Sequence, residues 1–141
     1  MFLGEIWRYP VKSMKGEQLS LARIGQQGIE GDRSVRVEDA RRHTVTSRSR
    51  PRLLGLRGTT GERGEVLVNG RRWADPAVAE DVSSAIGSNA RLILEPGHGF
   101  DILPLLVATE RDCGARRGWA AIAAEPGHRR SGRTLRARLG R

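Results

Sequence analysis

Between residues 3 and 73, apolar and polar residues alternate in short runs, and turn-forming residues interrupt those runs every few positions. Side chains repeating with period two can bury one common face only as strands, so such a chain is confined to a compact antiparallel sheet or small barrel. The pattern predicts a first strand over residues 3–8, stopped at Tyr9-Pro10 because proline lacks a ladder donor. It predicts a second over residues 19–24, followed by a bend punctuated by Gly25, Gly28 and Gly31. Residues 34–38 and 43–46 read as a hairpin around Asp39 to Arg42, and residues 53–56 as another strand. Residues 65–69 and 71–73 flank Asn69-Gly70, the dipeptide best suited to a two-residue type I′ turn.

The period then changes. Asp75 is a good N-cap, Pro76 suits the first helical position, and Val78, Val82, Ala85 and Ile86 recur at helical spacing until Gly87. One short helix is predicted. Residues 90–94 read as a strand and residues 102–109 as a buried one, despite Pro104. The fold class expected is mainly β (α+β). Its parts are a small antiparallel barrel-like domain with one short helix over residues 1–88, the start of a second β-barrel core over 89–110, and a basic tail over 111–141. A short helix around residues 118–124 and disorder over the last fifteen residues are expected within that tail.

Charge and cysteine usage narrow the functional classes. The formal net charge is +9, but residues 1–110 contribute only +2 of it, and residues 111–141, with nine arginines and two acids, contribute +7. Of the 25 basic residues all but Lys12 and Lys15 are arginine, as a GC-rich coding sequence would give, so basicity alone does not make a nucleic-acid binder. A single cysteine, Cys113, allows no intrachain disulfide and no CxxC metal spacing. No apolar run approaches the roughly 20 residues of a membrane span, and the first residues lack the pattern of a signal peptide, so a cytoplasmic location is expected. His43, His98 and His128 are too scattered to share a metal, and no nucleophile-elbow, phosphate-loop or dinucleotide fingerprint is present.

Three stretches could carry chemistry. Tyr9-Pro10-Val11-Lys12-Ser13-Met14-Lys15-Gly16-Glu17 offers an ammonium, a hydroxyl and backbone N–H donors to an anion, or is a solvated turn. Gly28-Ile29-Glu30-Gly31-Asp32-Arg33 sets a guanidinium suited to phosphate or carboxylate beside an acid, or forms a local salt bridge. Thr46-Ser47-Arg48-Ser49-Arg50-Pro51-Arg52-Leu53 is a basic, hydroxyl-rich approach to an apolar segment. In this order and spacing the three resemble the N-terminal β-barrel domain of MOSC (molybdenum cofactor sulfurase C-terminal) proteins. That domain shows a Tyr-Pro-(Val/Ile)-Lys-Ser turn with Gly-Glu, a Gly-(Leu/Ile)-x-Gly-Asp-Arg segment and a Thr-x-Arg-x-x-Pro-Arg-Leu segment. Residues 100–109, Phe-Asp-Ile-Leu-Pro-Leu-Leu-Val-Ala-Thr, resemble the opening of the MOSC core.

The resemblance implies a molybdenum cofactor (molybdopterin) held by a pterin dithiolene and one protein cysteine. It also implies two-electron reduction of N-hydroxylated small molecules, or sulfur transfer, with electrons from a separate redox partner; the family is further associated with pyridoxal phosphate binding. Carried over, Lys12, Ser13 and Arg33 match positions contacting the anionic pterin phosphate, and Thr109 can add a hydroxyl. Arg48 and Thr46 match the third motif, for which a structural role is equally open, and Met14 stands at a variable position that is not read as a ligand. The Arg-Pro-Asn segment and the metal-ligating cysteine of the family are not matched, and Cys113 comes too early after Thr109 to replace the latter. A naturally shortened homologue and a frameshift after Glu110 both give this pattern. The rise in Arg and Gly favours the frameshift, as do codons for Ser131-Gly132-Arg133-Thr134 that could encode Arg-Pro-Asn in another frame. Either way an inactive polypeptide is expected. The competing reading is a non-enzymatic β-domain whose tail contacts nucleic acid or another polyanion; no catalytic residue is assigned, and persulfide carriage by Cys113 is a third reading.

Overall fold

The structure, a computed structural model, describes residues 3–95, 105–107 and 122–123. The chain divides into two compact units, one of residues 8–17 and 31–99, the other of residues 1–7, 18–30 and 100–141. It is mainly β, with antiparallel ladders and one α-helix, as the alternating pattern predicts. Among the described residues the strands form five small sheets, and no ladder closes them into a barrel. The pair β1 (Ile6–Arg8) and β2 (Glu17–Leu19) lies where the chain passes from one unit to the other.

The larger unit is organised around β5 (Val35–Glu38), whose Val35 and Val37 are fully buried. On one side β6 (Thr44–Val45) pairs with it antiparallel through the predicted hairpin. Asp39 holds that turn by accepting the N–H groups of Arg41 and His43 at 2.9 Å each, and the His43 N–H keeps its carboxyl below the usual range. On the other side β10 (Arg91–Leu94) pairs antiparallel with β5, Leu92 opposite Val37. Residues 91–94 lie past the boundary expected near residue 88, yet their ladder partner is a strand some fifty residues earlier in the same unit. A second sheet joins β7 (Gly58–Thr60), β8 (Val66–Val68) and β9 (Arg71–Arg72) in that order. Its β8–β9 turn is the predicted Asn69-Gly70, with φ of 48° and 82°, the left-handed pair a type I′ turn needs.

Helix α1 (Pro76–Ile86) forms where the capping signals place it: Asp75 accepts the Ala77 N–H at 2.9 Å, and Gly87 closes it at φ 72°. Val78, Val82 and Ile86 face the core, spaced four apart. They pack with Val11, Met14, Val35, Val37, Val45, Leu53, Val66 and Val68. Met14, the variable position of the first motif, is thus a core side chain.

Residues 53–56 do not form a strand. Pro51–Gly55 is a 3₁₀ turn, with Pro51 supplying the first φ, the Leu53 N–H donating to Arg50 and the Leu56 N–H donating to Leu53. Leu53 is buried and Leu54 exposed, an in–out pair that a tight turn satisfies as readily as a strand. The ladder position goes instead to β7, whose Gly58 lies against Val11.

In the smaller unit β3 (Ile24–Gly25) and β4 (Gly28–Ile29) form a tight hairpin, and Ile6, Ile29 and Leu105 make its core. The strand expected over residues 19–24 is therefore split, with Leu21 exposed between β2 and β3. β11 (Leu106–Val107) pairs antiparallel with β12 (Ile122–Ala123), so residues 122–123 are extended rather than helical; their backbone groups find partners in that ladder. The rest of the helix expected over residues 118–124, the turn at residues 96–99, most of the strand over residues 102–109 and the last fifteen residues lie outside the described residues.

Candidate functional site

The first motif meets the Gly31-Asp32-Arg33 end of the second in the larger unit. The Arg33 N–H donates to the Tyr9 carbonyl at 2.7 Å, the Val35 N–H to Pro10 at 3.0 Å and the Lys12 N–H to Val35 at 2.8 Å. Residues 9–12 therefore run beside residues 33–35 as a short parallel contact, Val11 opposite Val35. The backbone donors of Lys12, Met14 and Lys15 are committed to Val35, Val11 and Leu56. Donors for an anion in this loop must come mainly from side chains.

Asp32 organises the junction. Its side chain is only 8% exposed, and one oxygen accepts the Tyr9 N–H at 2.7 Å while the other accepts Arg33 Nε at 2.7 Å. That leaves the guanidinium's two terminal nitrogens, on a side chain 27% exposed, with no second carboxylate among the described residues. A fixed Nε with both ends of the fork available is the arrangement that receives a planar oxyanion. Ser13 and Arg33 also hold left-handed backbone, φ 69° and 47°. Only two other described non-glycine residues do so, Arg42 and Asn69, and both sit in hairpin turns. Such conformations cost about 1 kcal/mol or more each and persist where the surroundings impose them.

The neighbouring Gly16-Glu17 is part of the same construction. Glu17 pairs with Arg8 at 2.8 Å and accepts the Thr60 N–H at 3.2 Å, tying the loop to β7. Gly16 lies against the Tyr9 ring. The half-buried Tyr9 phenol is raised above its ordinary value of 10.0, by burial first and then by the Asp32 carboxylate, with Arg33 opposing. Tyr9 is the single tyrosine of the chain, so its titration can be read directly from tyrosinate absorbance. The midpoint is expected above 10.0, and Asp32→Asn should bring it down; a midpoint at 10.0 in the unaltered protein would rule out this packing. Because the folded value is raised, the stabilisation is complete below pH 10 and is lost as pH rises through the folded pKa.

The third motif is placed differently. Arg48 lies exposed in the turn after β6, and its guanidinium makes no hydrogen bond or ion pair among the described residues. Thr46 anchors that turn through its carbonyl, which accepts the N–H groups of Ser49 and Arg50 at 3.1 and 2.9 Å. Arg50 donates from Nε to the Ile86 carbonyl at 2.8 Å, satisfying an orphan acceptor at the end of α1. This stretch is largely scaffold. Thr109, Cys113, His98 and His128 lie outside the described residues. His43 is 75% exposed beside Asp39, and among the described residues no group of three His, Cys, Asp or Glu could hold a metal ion. None of the described helices is long and apolar enough to cross a membrane.

Asp32, which the sequence offers only as a local partner of Arg33, is the group that joins the loop of Lys12 and Ser13 to that of Arg33. The family model of the MOSC N-terminal beta barrel domain matches residues 1–89. The chain belongs to the MOSC family. The match spans all three motifs, so the MOSC Tyr-Pro-Val-Lys-Ser and Gly-Asp-Arg segments are the two that Asp32 fastens together. Comparison with curated proteins gives no match.

Proposed function

We propose that this chain is a molybdenum-cofactor-binding MOSC protein, related to the oxidoreductases that reduce N-hydroxylated compounds. Arg33, Lys12 and Ser13 hold the phosphate of the pterin. The observation that carries this reading is that the loops bearing Ser13 and Arg33, each with a left-handed residue, are fastened together by Asp32. Strained backbone held by long-range contacts is characteristic of ligand sites.

The donor set fits an anion. A guanidinium whose Nε is fixed, an ammonium and a hydroxyl offer directed, charge-assisted bonds to a phosphate's oxygens. It does not fit a metal, for which thiolate, imidazole or clustered carboxylate would be needed. These residues therefore grip the organic end of the cofactor and orient it, and none of them is assigned to the metal. Thr109 and Arg48 are secondary candidates for the same phosphate. When bound, the cofactor supplies two-electron reduction, with electrons from a separate redox protein. Asp32 keeps the Arg33 fork aimed, and the Tyr9–Pro10 turn fixes the backbone from which Lys12 and Ser13 project.

The test is the pterin and molybdenum content of protein purified from a cofactor-competent host. The unaltered chain should carry extractable pterin, and Arg33→Gln, which also removes the Nε bond to Asp32, should lose about tenfold of it, the loss of roughly one charge-assisted bond, at a temperature where circular dichroism shows the variant folded. Pterin retained in full by the variant, or absent from the unaltered protein, would overturn the proposal.

A further inference from the structure

The outward face of the β7–β8–β9 sheet carries a group of cations that the phosphate site does not use. Gly58, Val66 and Val68 face the core, so the alternate positions Thr59 and Leu67 face outward. Arg72 is opposite Leu67 in the ladder and shares its face. Arg57, two residues before Thr59, lies on that face too, and Lys15 sits beside it in a parallel bridge made by the Lys15 N–H to Leu56 and the Gly58 N–H to Lys15. Lys15, Arg57 and Arg72 are all exposed.

Arg8, Arg33, Arg36 and Arg71 each have a carboxylate. Lys15, Arg57 and Arg72 have none among the described residues. The acids nearest in the ladder are engaged: Glu17 with Arg8 and the Thr60 N–H, Glu65 with the Arg63 N–H at 3.0 Å. Like charges facing each other on neighbouring strands repel, and the Lys15–Arg57 bridge holds two cations in that relation. An external acid would relieve it.

The spacing indicates what kind of acid. Lys15, Arg57 and Arg72 lie on the first, second and fourth of four adjacent segments, a span of roughly 14 Å at the usual strand separation. Several carboxylates spaced along a segment match that spread better than a single phosphate or carboxylate. Leu67, half-buried between the second and fourth segments, adds an apolar centre, and the face carries no aromatic ring on which a base could stack. Arginines around an apolar centre are the composition of a protein interface.

We propose that this face docks an acidic, partly apolar segment of a partner protein, with Lys15, Arg57 and Arg72 as its cationic contacts and Leu67 at its centre. The test uses the full chain and fluorescence anisotropy with a labelled Glu-rich peptide carrying a central Leu. The triple variant K15Q/R57Q/R72Q should bind about tenfold more weakly than the unaltered chain, a loss in keeping with three partly exposed ion pairs. The conservative R57K/R72K pair should retain most of the affinity. The basic residues 111–141 also attract anions, so the comparison is repeated with Arg129, Arg130, Arg133, Arg136 and Arg138 changed to Gln. The tenfold difference should persist in that background. Equal binding by the triple variant in either background would overturn the proposal, as would a stronger, equally face-dependent response to a single-stranded oligonucleotide of matching charge.

Discussion

Alanine at Gly16 is expected to destabilise the protein by about 3 kcal/mol, the upper range for forcing atoms into a filled space. An added Cβ would stand 2.3 Å from the Arg8 carbonyl oxygen and 2.7 and 2.9 Å from Cδ1 and Cε1 of the Tyr9 ring. The oxygen has no freedom to retreat. Arg8 ends β1, its side chain is paired with Glu17, and the next N–H, that of Tyr9, is held by Asp32. Relief must come from turning the Tyr9 ring or parting the β1–β2 ladder, and either disturbs the loop that carries Lys12 and Ser13. Urea unfolding of Gly16→Ala should show the midpoint shift, and its tyrosinate titration should move from that of the unaltered protein. Gly55→Ala is the control, since nothing lies within 4 Å of its added Cβ and its backbone is not left-handed; it should stay within about 0.5 kcal/mol. Equal unfolding midpoints for Gly16→Ala and Gly55→Ala would mean that the Arg8–Tyr9 backbone is not packed as described.

The parts of the fold that were legible in the sequence are those with local causes. Helix α1 is announced by Asp75-Pro76 and Gly87, which act within a turn of themselves, and the β8–β9 hairpin by Asn69-Gly70, whose two left-handed conformations need no distant contact. What was not legible depends on pairing. The segment at residues 53–56 carries one inward and one outward leucine, which does not distinguish a strand from the 3₁₀ turn that Pro51 starts. β7 was hidden because its core-facing residue at the Val11 contact is a glycine, so the strand has almost no apolar alternation to read. The β5–β10 ladder joins segments more than fifty residues apart, and only burial of Val35 and Val37 on a shared core sets its register.

The site divides in the same way. Lys12, Ser13 and Arg33 are candidates only through the order and spacing of motifs that resemble a family. Their junction is not legible there, because it rests on Asp32 reaching back 23 residues to the Tyr9 N–H, and an Asp-Arg pair beside a glycine looks identical whether it serves itself or another loop. The left-handed states of Ser13 and Arg33 are equally invisible in residue types that seldom adopt them. Arg50 shows the converse: in the sequence it belongs to a basic motif, and in the fold it caps α1.

That third motif yields the other large effect. Leu53→Ala is expected to cost about 3 kcal/mol, within the range measured for buried leucines whose removal leaves a cavity. Leu53 is fully excluded from solvent and packs in the cluster that includes Val11, Met14, Val35 and the inward face of α1. Its neighbours are mostly valines, short and branched at Cβ, so they have little reach with which to close the gap. Pro51 and the turn's own hydrogen bonds hold the backbone, so the chain cannot collapse inward either. Arg48→Ala, five residues earlier, should change stability by no more than about 0.5 kcal/mol, because its side chain is exposed and unpaired among the described residues. The pair of variants separates two reasons for the motif to exist. A large loss for Leu53 and none for Arg48 makes the stretch a core anchor, and cofactor content of the Arg48 variant then tests its phosphate role free of any folding defect. A loss under about 1 kcal/mol for Leu53→Ala, less than half the smallest value typical of a buried leucine, would mean that the 3₁₀ turn does not seat the leucine in this core.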